Sequence, residues 1–84
     1  MSKEIKALKG SRINVNVRYN RPLEFQWKAS WHVVTSIQEY WVDTGEWWNG
    51  EGEKIFYRLL SGSKLYELYY DRQGKCWEVY RVYD

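Results

Sequence analysis

The sequence is poor in the residues that build metal and disulfide sites. It has one cysteine, Cys76, and one histidine, His32, among 84 residues. A single cysteine excludes an internal disulfide bond, and these two residues cannot complete the cysteine and histidine shell of a structural zinc ion. We therefore expect a fold held together by side-chain packing, with no metal and no cofactor.

Catalytic and membrane-targeting patterns are also missing. His32 has no nucleophilic partner at an interpretable spacing, and a lone histidine is more often structural than catalytic. The glycines Gly45, Gly50 and Gly52 are separated by acidic residues, which would repel a phosphate. No apolar run has the length of a signal peptide core or a transmembrane helix. These absences predict a cytoplasmic domain that is not an enzyme.

Aromatic residues, in contrast, are abundant, with six Trp, eight Tyr and two Phe. A domain of this length hides only about 60% of the surface that its unfolded chain exposes. Some of the aromatic side chains must therefore stay on the surface, where they are candidates for binding. Five of the six tryptophans lie between Leu23 and Trp48, and we expect the domain to be organised around this stretch.

Alternation of apolar and polar residues predicts β-strands along most of the chain. Residues 31–42 fit both helical and strand spacing, but their Trp, Val, Thr and Ile content favours one long, bent strand with a bulge near residues 38–40. The predicted fold is an all-β antiparallel meander of five or six strands that forms a strongly curved sheet or a partly open small barrel. The segments that alternate with period two are residues 12–19, 23–28, 55–60, 65–70 and 76–83.

Residues 12–84 are predicted to form this single β domain, and the lysine-rich residues 1–11 a flexible basic tail. A tight turn is predicted from Asp71 to Gly74, because Asp and Gly are favoured at its first and last positions. We expect a monomer. The core is predicted from large apolar residues at matched places in the strands: Phe25, Trp27, Val33, Ile37, Trp41, Leu68, Trp77 and Val79.

Charge is unevenly distributed, although the net charge is only +2. Residues 1–28 carry a net charge of +5, residues 29–53 carry −5 with no Lys or Arg, and residues 54–84 carry +2. Two interpretations are open. Opposite charges meet across strands on a solvated surface, or a basic edge of the domain meets an anionic partner.

Spaced aromatic and charged residues form a pattern over residues 22–84: Phe25, Trp27, Trp31, Val33, Trp41, Thr44-Gly45, Trp47-Trp48, Tyr57-Arg58, Leu65-Tyr66-Glu67-Leu68, Asp71, Gly74, Trp77 and Arg81-Val82-Tyr83-Asp84. This pattern resembles an uncharacterised family of small prokaryotic β domains that are often encoded beside Y-family translesion DNA polymerases. The resemblance implies a non-catalytic accessory role in DNA repair or translesion synthesis. The turn Lys28-Ala29-Ser30 departs from the pattern, because it lacks the expected glycine.

Two binding hypotheses from different classes are open. In the first, an aromatic patch with an acidic rim binds a basic or extended segment of a polymerase-associated protein. The residues of this patch are Asp43, Glu46, Trp47 and Trp48. The same acidic, tryptophan-pair stretch has a likeness to SH3 domains, which gives a variant of this hypothesis, an SH3-like peptide-binding module.

The second hypothesis is a module that binds single-stranded DNA or RNA. Such binding needs exposed aromatic rings for base stacking, and cations along the path of the phosphates. The candidate residues for this interface are Arg18, Tyr19, Lys28, Tyr57 and Arg58.

Overall fold

The computed structural model describes residues 12–44 and 52–83, together with the backbone of residues 4–6. These residues form antiparallel β-strands and no helix, so the predicted all-β class is confirmed. The strands are β1 (Glu4–Lys6), β2 (Arg12–Ile13), β3 (Val15–Arg18), β4 (Arg21–Trp27), β5 (Ser30–Val33), β6 (Ser36–Asp43), β7 (Lys54–Ser61), β8 (Lys64–Asp71) and β9 (Cys76–Tyr83).

The strands are arranged in a large and a small sheet. The large sheet has the order β1-β9-β8-β7-β6, and β2 also pairs with β9, whereas the small sheet has the order β3-β4-β5. Strands β6 to β9 are the predicted meander, in which each strand pairs with the next along the chain. Short turns join β7 to β8 and β8 to β9, since antiparallel neighbours need only a tight reversal.

The chain passes between the two sheets at two places. Ile13 pairs with Trp77 in the large sheet, while the carbonyl of Asn14 accepts a hydrogen bond from the amide of Gln26 in the small sheet, at 2.8 Å. The second passage is at residues 34 and 35. There the amide of Val34 donates to Leu23 in the small sheet at 2.8 Å, and the amide of Thr35 donates to Leu60 in the large sheet at 2.9 Å. Bent strands of this kind join two packed sheets into a partly open barrel.

Because the chain changes sheets at residues 34 and 35, the prediction of a single strand over residues 31–42 is wrong. The segment consists of β5 and β6, which belong to different sheets. The bulge expected near residues 38–40 is present, because the pairing of β6 with β7 shifts between Ile37 and Glu39. In the predicted tail, β1 pairs with β9 in an extended conformation, and the mobility of residues 1–11 stays a prediction.

The core lies between the small sheet and the inner face of the large sheet. Phe25, Leu68 and Val79 are buried there as predicted, together with Leu59, Tyr66 and Val82, which the sequence analysis did not select. Trp27, Ile37 and Trp77 are half-buried and pack against this cluster. The ring of His32 stacks on Phe25 with centroids 5.3 Å apart, which gives the lone histidine a packing role.

Two of the predicted core residues lie elsewhere. Val33 is 62% exposed, because it pairs with Glu24 on the outer side of the small sheet, and the inward position passes to Val34. Trp41 is on the outer face of the large sheet, where its ring is parallel to that of Phe56 with centroids 5.3 Å apart. Tyr69 and Tyr80 also contact Phe56, so this face has an aromatic cluster of its own.

The corrected core leads to a prediction about stability. Leu68→Ala removes a side chain with 0% exposure, and should lower the free energy of unfolding by about 2–5 kcal/mol, because it loses burial and leaves a cavity. Val33→Ala is the matched control, and as a surface change it should cost less than about 0.5 kcal/mol. Urea denaturation followed by tryptophan fluorescence measures both, and a large loss for Val33→Ala would contradict the inward assignment of Val34.

Two hairpin turns of the small sheet have left-handed backbone without glycine. Lys28 and Ala29 have φ angles of 52° and 62°, and Tyr19 and Asn20 have 53° and 62°. Positive φ at both central residues is the geometry of the type I′ turn, which matches the twist of antiparallel strands. The glycine missing from the sequence pattern at this turn is therefore replaced by residues that adopt a costly conformation.

Ala29→Gly should consequently stabilise the domain by about 0.5–1 kcal/mol, since glycine adopts positive φ without a steric cost. Asn20→Gly is the control at the equivalent position of the other hairpin. It should gain less, because asparagine tolerates the left-handed region better than alanine does. Thermal and urea denaturation compare the two variants. A destabilised Ala29→Gly variant would show that this turn is not strained.

Candidate nucleic-acid interface

Four aromatic side chains form a row on the inner face of the large sheet. Tyr40 stacks on Tyr57 with ring centroids 6.2 Å apart, Tyr57 lies 5.5 Å from Trp77, and Trp77 lies 5.3 Å from Tyr70. These residues come from β6, β7, β8 and β9. With a spacing of about 4.8 Å between neighbouring strands, the row extends across about 14 Å of the sheet.

The hairpin between β3 and β4 forms a wall beside this row. The hydroxyl of Tyr57 donates a long hydrogen bond of 3.4 Å to the carbonyl of Asn20 in the hairpin turn. Between hairpin and sheet is a cavity of about 640 Å³, which Tyr57, Tyr70 and Trp77 line together with Ile55. A second cavity of about 330 Å³ separates the turn from Tyr40. We call these two cavities and their four aromatic residues the aromatic groove.

The rings of the aromatic groove are accessible and the groove is uncharged at its floor. Tyr40 is 68% exposed, and Tyr57, Tyr70 and Trp77 are half-buried. Burial raises the pKa of Tyr57 above its ordinary value, and the neighbouring Tyr40 raises it further, so its hydroxyl stays protonated. A neutral tyrosine presents a ring face to a ligand without adding negative charge.

Cations lie at the rim of the groove, and no carboxylate is among those of its lining residues that the structure describes. Arg21 lines the groove from the hairpin, and the guanidinium of Arg18 lies 5.3 Å from the ring centroid of Tyr19, which is 85% exposed. In the described part of the chain, no acidic side chain is within ion-pair distance of Arg18 or Arg21. On the opposite rim Arg72 is paired with Glu53.

The structure brings together three of the five residues proposed for a nucleic-acid interface. Arg18 and Tyr19 are at the hairpin turn, and Tyr57 is directly below it. Lys28 is at the other end of the small sheet, where its ammonium group is 5.8 Å from the ring centroid of Trp27. Arg58 follows Tyr57 in the same strand and so points to the outer face of the large sheet.

Comparison with known protein families assigns the chain to one of them. A model described as Domain of unknown function (DUF6504) matches residues 2–84. The chain belongs to this family. No curated protein and no solved structure matches it. The match supports the expected membership of an uncharacterised domain family, while the link to Y-family polymerases stays a prediction.

In this DUF6504 domain, Arg58 is held by two carboxylates. Its Nε donates to Glu67 at 2.8 Å, and its Nη1 is 3.0 Å from Glu39. Glu67 is only 1% exposed, and the hydroxyl of Tyr83 is 3.4 Å from the same carboxylate oxygen. The hydrogen bond to Glu67 raises the pKa of Arg58, although burial opposes this rise. The positive charge of Arg58 is therefore used within the fold.

Part of the groove could not be recognised from the sequence. Arg21, Tyr40 and Tyr70 were not predicted, and Trp77 was assigned only to the core. Their position depends on which residues face each other across strands, such as Tyr40 with Tyr57 and Tyr70 with Trp77. The one signal in the sequence was the tyrosine content of the meander, which exceeds what so small a domain encloses.

The residues of the proposed protein-binding patch are mostly outside the described part of the chain. Glu46, Trp47 and Trp48 are not described, so the patch stays a prediction. Asp43 is exposed near the end of β6, where it faces Lys54 of β7. None of the described segments is a helix with the length and apolar composition that a membrane crossing requires.

One cluster of potential metal ligands lies near the turn between β8 and β9. Ligand atoms of Asp71, Cys76 and Glu78 are within 4.8 Å of one another. However, Oδ1 of Asp71 accepts hydrogen bonds from the amides of Gln73 and Gly74, both at 3.1 Å, which stabilise the predicted turn. The carboxylate of Asp71 therefore has a structural role, and the expected lack of a metal stays a prediction.

The Arg58 network generates a further prediction. Arg58→Met leaves the buried carboxylate of Glu67 without its cation, and should lower the free energy of unfolding by about 3–5 kcal/mol. Glu67→Gln should cost about 1–2 kcal/mol, because Arg58 keeps Glu39 and is half-exposed. Urea denaturation at neutral pH measures the difference. Equal losses would show that burial of Glu67 is not the controlling feature.

Proposed function

We propose that this DUF6504 domain is a non-catalytic module that binds single-stranded nucleic acid in the aromatic groove. The observation that carries the proposal is the row of Tyr40, Tyr57, Trp77 and Tyr70 on an accessible sheet face, beside two arginines without acidic partners among the described residues. Stacking rings and nearby cations are the two requirements for binding a single strand without sequence readout.

Each part of the groove has a physical role in this proposal. Unpaired bases stack on tyrosine and tryptophan faces, and each such contact contributes about 1–3 kcal/mol. Arg18 and Arg21 project from the hairpin, where they can approach phosphates that follow the rim of the groove. Guanidinium groups suit this role, because their fixed fork of donors matches the geometry of phosphate oxygens.

The positions of the acidic side chains also favour the groove as the face that binds an anion. Glu39, Glu67 and Glu78 alternate with the inner-face residues of their strands, so they point to the outer face of the large sheet. Among the described residues, the lining of the aromatic groove contains no carboxylate. The described lining of the groove therefore does not repel a polyanion, and Arg18 and Arg21 at its rim attract one.

The biological setting of the proposal comes from the resemblance described above. We place the domain as an accessory in DNA repair or translesion synthesis, where single-stranded template is exposed. A polymerase-associated protein partner fits the same setting, with Asp43 and the undescribed Glu46, Trp47 and Trp48 as its contact residues. The SH3-like variant of that hypothesis rests on the same stretch.

Binding of a labelled single-stranded oligonucleotide of about 12 nucleotides, measured by fluorescence anisotropy, tests the proposal. Tyr40→Ala should weaken binding by about 5- to 150-fold, the equivalent of one lost stacking contact. Neutralising Arg18 and Arg21 to Gln should reduce the slope of log affinity against log salt by about 1.4, since each phosphate contact on a single strand contributes about 0.7.

Trp31→Ala is the matched control, because Trp31 is 46% exposed but lies on the outer side of the small sheet, beside Val33 and Gln26. This variant should bind as the parent does. The proposal is wrong if the parent binds no oligonucleotide at low salt, or if Trp31→Ala and Tyr40→Ala have equal effects. In that case the protein-partner hypothesis replaces it, and the comparison of Trp48→Ala with the parent in a pull-down becomes the decisive test.

A further inference from the structure

A third cavity, of about 710 Å³, lies at the opposite end of the small sheet from the β3–β4 hairpin. Three cations from separate segments line it: Arg12 of β2, Lys28 of the turn between β4 and β5, and Lys75 immediately before β9. Trp27 and Trp77 supply its aromatic surface. We call this cavity and these five residues the basic cleft.

The basic cleft concentrates positive charge that the described part of the fold does not neutralise. Within residues 12–44 and 52–83, its lining includes no Asp or Glu, and no carboxylate is at ion-pair distance from Arg12, Lys28 or Lys75. Lys28 and Lys75 repel each other at this cavity and lower the stability of the empty domain, whereas Arg12 shares the outer face of the large sheet with Glu78, its directly opposite residue. An anion that enters the cleft relieves this repulsion, so phosphate is the ligand chemistry that the cleft fits.

The backbone around the cleft is also unusual. Lys28, Ala29 and Lys75 all have positive φ angles, of 52°, 62° and 53°, and all three line the cavity. Side chains other than glycine are costly in this conformation. Residues that hold strained backbone around a cavity are frequent at binding sites. At Lys28 and Lys75 the strained positions carry cations, where glycine would relieve the strain but remove the charge.

Trp77 connects the two cavities, since it lines both the basic cleft and the aromatic groove. We infer that the groove and the cleft form one continuous track, in which a single strand stacks on the aromatic groove, passes Trp77 and places its next phosphates beside Lys28 and Lys75. This inference rests on the proposed function and extends it, because it gives the bound strand a minimum length and a second set of contacts.

Oligonucleotides of two lengths test the track, one of about 4 nucleotides and one of about 12. The variant Lys28→Gln/Lys75→Gln should reduce the salt slope of the longer strand by about 1.4 and leave the affinity of the shorter one unchanged. The matched control, Lys54→Gln/Lys64→Gln, removes the same charge outside both sites and should leave the salt slope of the longer strand unchanged. Both lysines of the test variant are exposed, so the fold is expected to persist.

The indole N–H resonance of Trp27 gives a second readout, because Trp27 lines the cleft and not the groove. It should shift with the longer strand and stay in place with the shorter one. A shift of the same size with a mononucleotide alone would indicate a small-anion site and overturn the track. An unchanged salt slope in Lys28→Gln/Lys75→Gln would also overturn it, while the effect of Tyr40→Ala would leave the proposed function intact.

A different failure would identify the proposed function itself as wrong. If Tyr40→Ala binds both strands as the parent does and the cleft variant alone loses affinity, the nucleic acid occupies the cleft without the groove. The proposed function and the continuous track then fail together. If both variants bind as the parent does, neither cavity contacts the strand.

Discussion

The amides of Val34 and Thr35 donate their hydrogen bonds to different sheets, and the rest of the structure depends on this change of partner. It turns what would be one long strand into β5 and β6, and it folds the three-stranded small sheet back over the meander. Together with the passage at Asn14, it creates a core between the sheets that holds Phe25, Leu59 and Leu68. A chain of this size has little apolar surface to spare, so the second layer is needed for stability.

The small sheet does not cover the whole inner face of the large sheet, and the exposed remainder is the candidate site. Its coverage ends at the hairpin turn where Asn20 meets Tyr57. Beyond that contact, Tyr40 and Val42 are exposed although they alternate in phase with buried positions of the same sheet. Within the described residues, the aromatic groove is therefore a continuation of the core without a covering layer, which explains why its residues resemble core residues in the sequence.

The regular features of the fold could be predicted from the sequence, because alternation records which residues of a strand share a face. The meander from β6 to β9 and the bulge after Ile37 follow from it. The outward orientation of Val33 could not be predicted, because the face that points to the core changes where the chain passes from one sheet to the other. The same limit applies to the groove. Whether Tyr57 or Arg58 faces inward depends on the packing of the small sheet, which neighbouring residues in the sequence do not encode.

Arg18 and Arg58 show why the site needs geometry as well as composition. Each arginine is adjacent to a tyrosine in the sequence, and both were equal candidates for binding phosphate. Arg58 contacts Glu39 and the buried Glu67, so a phosphate would have to displace two carboxylates to bind it. Arg18 lies over Tyr19 on an exposed turn and has no acidic partner among the described residues. A cation that the fold leaves unneutralised beside accessible rings loses little by binding a phosphate, and this difference separates a ligand-binding arginine from a structural one.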